Sequence, residues 1–195
     1  MTSLRFSVQE LAYLQTTGLF SAGFLDYLAH FRFSGAVVAM PEGTIFFPGE
    51  PLLEVTAPLI EAQIVETFLI NSIGFQTMVA TKAARCVHAA QGRTLVDFGL
   101  RRTHGQNAGL KTARCSYLVG YTATSNVLAG KMWQIPVPGT MAHSFVQAFD
   151  DEQQSFAAFA ETYPESSIFL IDTYDTDPVA PTAGKRDSSA SGRVL

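Results

Sequence analysis

The sequence predicts an α/β chain, with a small helix-plus-β unit over residues 1–93 and β/α units over 94–175. Three observations carry that prediction. Residues 35–57 hold short β-prone runs separated by Pro/Gly turns, and Pro58 then opens a long pattern of helical period. From residue 94 onward, β-prone runs alternate with helical stretches, which is the pattern of parallel β/α units.

The elements follow in order. Ser7-x-x-Glu10 reads as a capping box opening the first of two short helices over residues 7–30, and Gly18 separates them. Val37–Ala39, Thr44–Phe47 and Leu52–Val55 read as strands, with Pro41-Glu-Gly43 and Pro48-Gly-Glu-Pro51 as turns. The long helix after Pro58 carries Ile60, Ile64, Phe68, Met78, Val79, Ala83 and Val87 on one face, and a break or bend is expected near Gly74. It ends before Gln91-Gly92, and Lys82 and Arg85 read as solvated charges rather than a phosphate site. Beyond it come a strand at Thr94–Phe98, a helix over 108–119, a small-residue helix through Lys131, a strand at Ile135–Val137, a helix over about 144–162 and a buried strand at Ile168–Ile171. Residues 176–195 lack periodicity and large apolar side chains, so disorder is expected there.

Composition narrows the functional classes. With 195 residues and 47% apolar content the chain can bury a substantial core. A net charge of −4 argues against a nucleic-acid backbone as the main partner. Cys86 and Cys115 lie far apart beside Ala or Arg and read as small core residues of a reducing compartment. No secretory leader is recognised, and no apolar run approaches the roughly 20 residues of a membrane span, so a cytoplasmic chain without membrane contact is expected.

Polar residues recur where the strands of the second part end: Arg101, Ser125, Thr140 with His143, and Asp172. In α/β folds ligands bind at the carboxyl ends of strands, so these residues are candidates for one site. Pro138-Gly-Thr-Met-Ala-His143 reads as a strand-end-to-helix turn that presents backbone N–H groups to an anion, and its imidazole is suited to accept a phosphoryl group. A structural histidine fits the same pattern as well. Arg101 and Arg102 are adjacent, so one of them at most reaches a ligand directly, and a guanidinium suits phosphate or carboxylate. Asp172 and Asp175 fit either Mg²⁺ beside a substrate phosphate or helix N-capping. His30, His88 and His104 read as structural, and no Walker A, Rossmann glycine run, CxxC or HExxH occurs.

Asp97-Phe-Gly-Leu-Arg-Arg-Thr-His-Gly105, Thr124-Ser-Asn-Val-Leu-Ala-Gly-Lys131, Pro138-Gly-Thr-Met-Ala-His-Ser-Phe145 and Asp172-Thr-Tyr-Asp-Thr176 resemble nicotinate phosphoribosyltransferases, in that family's order and spacing. Pro41–Pro48 and Ala80–Arg85 add to the resemblance, which spans roughly residues 5–176. It implies a partial (β/α) barrel of about four β/α units, where closure takes roughly eight. It implies that nicotinate and phosphoribosyl pyrophosphate are joined to nicotinate mononucleotide, with ATP hydrolysis and Mg²⁺ coupled to the step. His143 then matches the phosphorylated histidine. Arg101 matches the arginine that neutralises phosphoribosyl charge, and Phe98 a face near the pyridine. Gly139, Thr140 and Asp172 match substrate-contacting positions. Ser125 stands where nicotinamide-using relatives are expected to carry aspartate, which favours the acid. The family implies a homodimer with shared active sites.

Two family features are not found: an Asp-Leu-Tyr-Gln-like segment before Leu4 and an Arg-x-Asp-Ser-Gly-Asp motif after Asp175. The expectation is a truncated form, poorly active alone, whose strand ending at Asp172 is an unpaired apolar edge. The alternatives are a non-catalytic relic or regulatory partner of a longer enzyme, and a relative specific for nicotinamide or quinolinate.

Overall fold

The backbone of residues 7–31 turns on two side-chain caps. In the computed structural model, which describes residues 3–174 and the backbone of Arg193–Val194, Ser7 and Glu10 form the reciprocal capping box. The Glu10 N–H donates to Ser7 Oγ at 3.2 Å and the Ser7 N–H to Glu10 Oε2 at 2.7 Å. That starts α1 (Val8–Thr16), and Gly18, at φ +66°, turns the chain into α2 (Ala22–Ala29). The Ser7 backbone N–H foremost, and then the Ser7 side chain, hold the Glu10 carboxyl below the usual carboxylate range.

The described residues fall into two compact units, 3–93 with Leu118–Gly120, and Thr94–Tyr117 with 121–174 and the 193–194 pair. In the first, β1 (Ala36–Ala39) pairs antiparallel with β2 (Leu53–Thr56), Val37 opposite Val55. The expected middle strand at Thr44–Phe47 does not form. Its ends are spent on turns instead: the Thr44 N–H donates to the Pro41 carbonyl, and the Phe47 N–H to Glu50 Oε2 at 2.7 Å.

The long helix α3 runs from Leu59 to Ala90, capped at Gln91 in the left-handed conformation. It passes through Gly74 unbroken. One glycine costs about 1 kcal/mol, too little to interrupt a helix whose neighbouring turns all propagate it. Its inward residues match the expected face only in part: Ala83 is buried as expected, Glu61 and Val65 are buried outside that face, and Ile60, Phe68 and Met78 are exposed. Glu61 turns inward because it has partners there, accepting from the Ser34 N–H at 2.6 Å and the Ser34 hydroxyl at 2.9 Å. No helix among the described residues is long and apolar enough to cross a membrane.

In the second unit, β3 (Val96–Asp97) pairs in parallel with β4 (Ala123–Thr124), and α4 (Gln106–Leu118) lies between them in sequence. The helix α5 (Val127–Trp133) follows β4, capped by the Asn126 carboxamide. Ile135–Val137 is not a regular strand, because Pro136 and Pro138 remove two ladder donors. It still lies alongside β4, since the Thr124 N–H donates to the Pro136 carbonyl at 3.0 Å.

The helix expected over 144–162 is two helices, α6 (His143–Val146) and α7 (Glu152–Thr162). Asp151 breaks it by acting as an N-cap, accepting from the Gln153 N–H at 3.3 Å. Met141, Val146, Phe156, Phe169 and Ile171 form the core of this unit, with Phe145 and Phe159 packed against them.

Sheet content is lower than expected. β5 (Ile168–Phe169) pairs in parallel with β6 (Arg193–Val194), so the run before Asp172 is not the unpaired edge predicted. The disorder expected over 176–195 otherwise lies outside the described residues, as does Asp175. The architecture is mixed helix and sheet, with three two-stranded sheets among the described residues.

Candidate functional site

The carboxyl ends of β3 and β4 are joined by a buried polar network. Asp97 and Thr124 are 7% and 0% exposed, and Thr124 Oγ1 donates to Asp97 Oδ2 at 2.9 Å. The Gly99 N–H donates to Asp97 Oδ1 at 2.8 Å, and the Ser125 N–H to the Asp97 carbonyl at 2.8 Å. Asn126, also buried, donates its N–H to Thr124 Oγ1 at 3.1 Å and accepts from the Ala129 N–H at 3.1 Å. A buried carboxylate with so many donors is satisfied and rigid.

Its effect is to hold two predicted ligand residues, Phe98 and Ser125, on neighbouring strand ends. Phe98 is half-exposed, and Arg101 lies exposed in the single 3-10 turn Leu100–Arg102 that follows. Gly109 of α4 lets that turn approach closely: a Cβ there would come within 2.4 Å of Leu100 Cδ1.

The second cluster gathers around His143, the first residue of α6. Nδ1 lies 3.2 Å from Thr173 Oγ1, and Nε2 lies 4.0 Å from Asp172 Oδ1. Thr140, three residues before His143, bonds to the first residue of β5, donating its hydroxyl to the Ile168 carbonyl at 3.3 Å. Gly139 is exposed, with open space where a Cβ would stand. The imidazole is about half exposed, 51% at the side chain, yet its turn is anchored on both sides by Met141 at 4% and Val146 at 0%. An exposed group on an immobile turn can meet a ligand without first being ordered.

One expectation changes here. α6 has only four residues, so it supplies little of the helix-terminus field expected to favour an anion. Asp172 caps no helix among the described residues; it faces His143 instead.

Of the predicted residues, the structure brings His143 and Asp172 together, ties Thr140 to Ile168 of β5, and sets Phe98 and Ser125 on adjacent strand ends. Arg101 and Gly139 follow their strand ends in exposed turns. Sequence reasoning missed Asp97, Thr124 and Asn126 as the frame, and Thr173 as a partner of His143. A signal existed for Asp97: an acid inside the apolar run Leu95-Val-Asp-Phe98 must be buried with partners. Thr173 sits 30 positions from His143, and nothing local marks it.

Comparisons with known proteins bear on this arrangement. Residues 1–74 match the nicotinate phosphoribosyltransferase N-terminal domain. A nicotinate phosphoribosyltransferase of Mycobacterium tuberculosis is 55% identical over 176 residues, covering 90% of this chain and 38% of that protein. The Bacillus subtilis enzyme of the same name is 43% identical over 176 residues, again 90% of this chain and 36% of its own length. The chain belongs to the nicotinate phosphoribosyltransferase family.

Solved structures agree. The crystal structure of human nicotinic acid phosphoribosyltransferase superposes with a TM-score of 0.79 at 28% identity, over 98% of this chain and 49% of the human one. A nicotinate-nucleotide pyrophosphorylase from Pyrococcus furiosus gives a TM-score of 0.74 at 31% identity, over 78% of this chain and 40% of that one. The chain spans well under half the length of the curated relatives it matches.

Proposed function

We propose that residues 94–174 are part of a (β/α)-barrel phosphoribosyl site in which His143 accepts a phosphoryl group, serving ATP-coupled synthesis of nicotinate mononucleotide in NAD salvage. The observation that carries this reading is the His143 cluster: an exposed imidazole on a turn anchored by Met141 and Val146, with Asp172 facing Nε2. The barrel reading is supported by strand neighbours. β3 pairs with β4, Thr124 bonds to Pro136, and Thr140 bonds to Ile168, so successive strand segments lie side by side in chain order, with helices between them.

The chemistry follows from these groups. An imidazole lone pair attacks the γ-phosphorus of ATP, an N–P bond forms, the bond to the β-phosphate oxygen breaks, and ADP leaves. An imidazolium-like phosphohistidine beside Asp172 is stabilised by that carboxylate. In the transfer step the pyridine nitrogen of nicotinate attacks the anomeric carbon of phosphoribosyl pyrophosphate, and pyrophosphate leaves. Arg101 is placed to neutralise substrate charge, Phe98 offers an aromatic face, and the uncharged Ser125 does not repel the nicotinate carboxylate. Gly139 leaves room for a phosphate against the backbone, and Thr140 fixes the turn to β5. Mg²⁺, which keeps most of its shell as water and phosphate oxygen, would arrive on the phosphates of the cosubstrates. A cytoplasmic homodimer sharing its sites completes the proposal.

Calorimetric titration tests it. The chain is expected to bind phosphoribosyl pyrophosphate with Mg²⁺, and then nicotinate in preference to nicotinamide or quinolinate. Arg101→Ala should weaken the phosphoribosyl step about 10- to 100-fold, the worth of a charge-assisted hydrogen bond of about 1.5–3 kcal/mol. No binding of any of these ligands, or equal binding of the three pyridines, contradicts the assignment. Turnover by the chain alone is expected to fall far short of normal, because four strand segments leave the site open where closure takes roughly eight. Normal steady-state turnover would overturn that part.

A further inference from the structure

Thr173 Oγ1 lies 3.2 Å from His143 Nδ1, a hydrogen-bonding distance. Asp172, at 4.0 Å from Nε2, lies beyond direct hydrogen bonding but still sets a negative potential at that nitrogen. The two residues are consecutive in the segment that follows β5, and they lie by different nitrogens of the ring. A negative potential at Nε2 favours the proton there, which leaves Nδ1 as a lone pair. A threonine hydroxyl rotates to suit, so it donates to that lone pair.

We propose that Thr173 is a positioning residue: its hydroxyl donates to His143 Nδ1 and, with Asp172 facing Nε2, holds the imidazole in the Nε2–H tautomer and in one orientation. Both neighbours are fixed in turn. Ile171 is in the core, and Met141 and Val146 anchor the turn carrying His143, so the 3.2 Å contact joins two immobile segments. Without the hydroxyl, the ring would be held only by a contact at 4.0 Å, with its orientation free to vary. The consequence for phosphoryl transfer rests on the function proposed above; the tautomer assignment does not.

Nitrogen-15 NMR of the histidine-labelled chain, at a pH where His143 is neutral, separates the two. The wild type is expected to show a protonated Nε2 and an Nδ1 resonance typical of a hydrogen-bonded acceptor nitrogen. In Thr173→Val, which keeps the volume, Nδ1 should move toward the value of a bare acceptor, and Thr173→Ser should restore it. Thr173→Ala replaces the valine variant if that one does not fold, with the same expectation. Amide shifts of Met141 and Val146 that stay unchanged exclude general disruption. An Nδ1 resonance unmoved by loss of the hydroxyl, or a wild type carrying its proton on Nδ1, overturns the proposal.

A second readout connects it to the chemistry. Labelling of His143 by γ-labelled ATP places the phosphoryl group on Nδ1, the lone pair of that tautomer, so the Thr173 hydroxyl must rotate away as the N–P bond forms; in Thr173→Val, with the ring no longer held, the label should divide between Nδ1 and Nε2, and Thr173→Ser should restore labelling at Nδ1 alone. Failure of the wild type to label at all, with the NMR signature intact, removes the phosphoryl reading and leaves the positioning role standing. A label that stays wholly on Nδ1 in Thr173→Val overturns the orienting role in phosphoryl transfer.

Discussion

The Asp97 region and the His143 region carry similar chemical groups and solve opposite problems. At Asp97 a carboxylate is buried and meets a hydroxyl and a backbone N–H within 2.9 Å. At His143 a titratable ring is left about half in solvent, with one partner at 3.2 Å and a carboxylate at 4.0 Å. Satisfied polar groups fix geometry, whereas incompletely satisfied ones on a fixed base remain available to a ligand. The first cluster therefore frames the strand ends, and the second has capacity left for chemistry.

The sharpest way to break that contrast is to remove each anchor. Asp97→Ala strands the Thr124 hydroxyl and the Gly99 N–H, and should destabilise the chain by about 2–4 kcal/mol, or roughly 5–15 °C in Tm by calorimetry. His143→Asn should leave stability within about 0.5 kcal/mol while abolishing phosphoryl labelling, because its ring is exposed and its turn is held by its neighbours. Equal losses for the two would erase the distinction between frame and reactive group.

Glycines sharpen it next. A Cβ on Gly130 would stand 2.3 Å from Val137 Cγ2 and 3.0 Å from the Ile135 carbonyl oxygen, so Gly130→Ala should cost about 1–3 kcal/mol in chemical denaturation. Gly139→Ala meets open space and should fall within about 0.5 kcal/mol, although it crowds the side from which a phosphate would approach. It should weaken phosphoribosyl pyrophosphate binding more than it lowers stability.

The smallest effect is at Glu152. Its Oε1 is buried without a partner among the described residues, and burial, with Asp151 alongside, raises its carboxyl above the usual carboxylate range. The group is otherwise largely solvated, which limits the effect to under about 1 kcal/mol. A raised carboxyl means that stability is fullest in acid and is lost as pH rises through the carboxylate range. Glu152→Gln should therefore be slightly more stable than the wild type at pH 7 and equal to it in acid, as read from melting curves at the two pH values.

Local features were legible in the sequence. Ser7 and Glu10 sit three apart and complete their box without help from the rest of the chain. The turn at Gln91 and the aromatic residues 145, 156 and 159 were also placed correctly, since periodicity reports which side chains need burial. What periodicity does not carry is competition between elements. Thr44–Phe47 has strand propensity but loses to side-chain and turn bonds from Glu50 and Pro41. The apolar residues Phe68 and Met78 lie on a helix whose inward face is instead chosen by the Glu61–Ser34 pair. At the site, His143 and Asp172 were visible from their motifs. Thr173 and Asn126 were not, because their roles arise from contacts that only the fold creates.

The central claim is that His143 is a phosphoryl acceptor held ready by this fold, and labelling measures it directly. The chain incubated with γ-labelled ATP and Mg²⁺ is expected to gain an acid-labile, alkali-stable label at His143 that disappears in His143→Asn. A wild type that takes up no such label, alone or beside a full-length relative, or a His143→Asn variant that keeps it, would contradict the account.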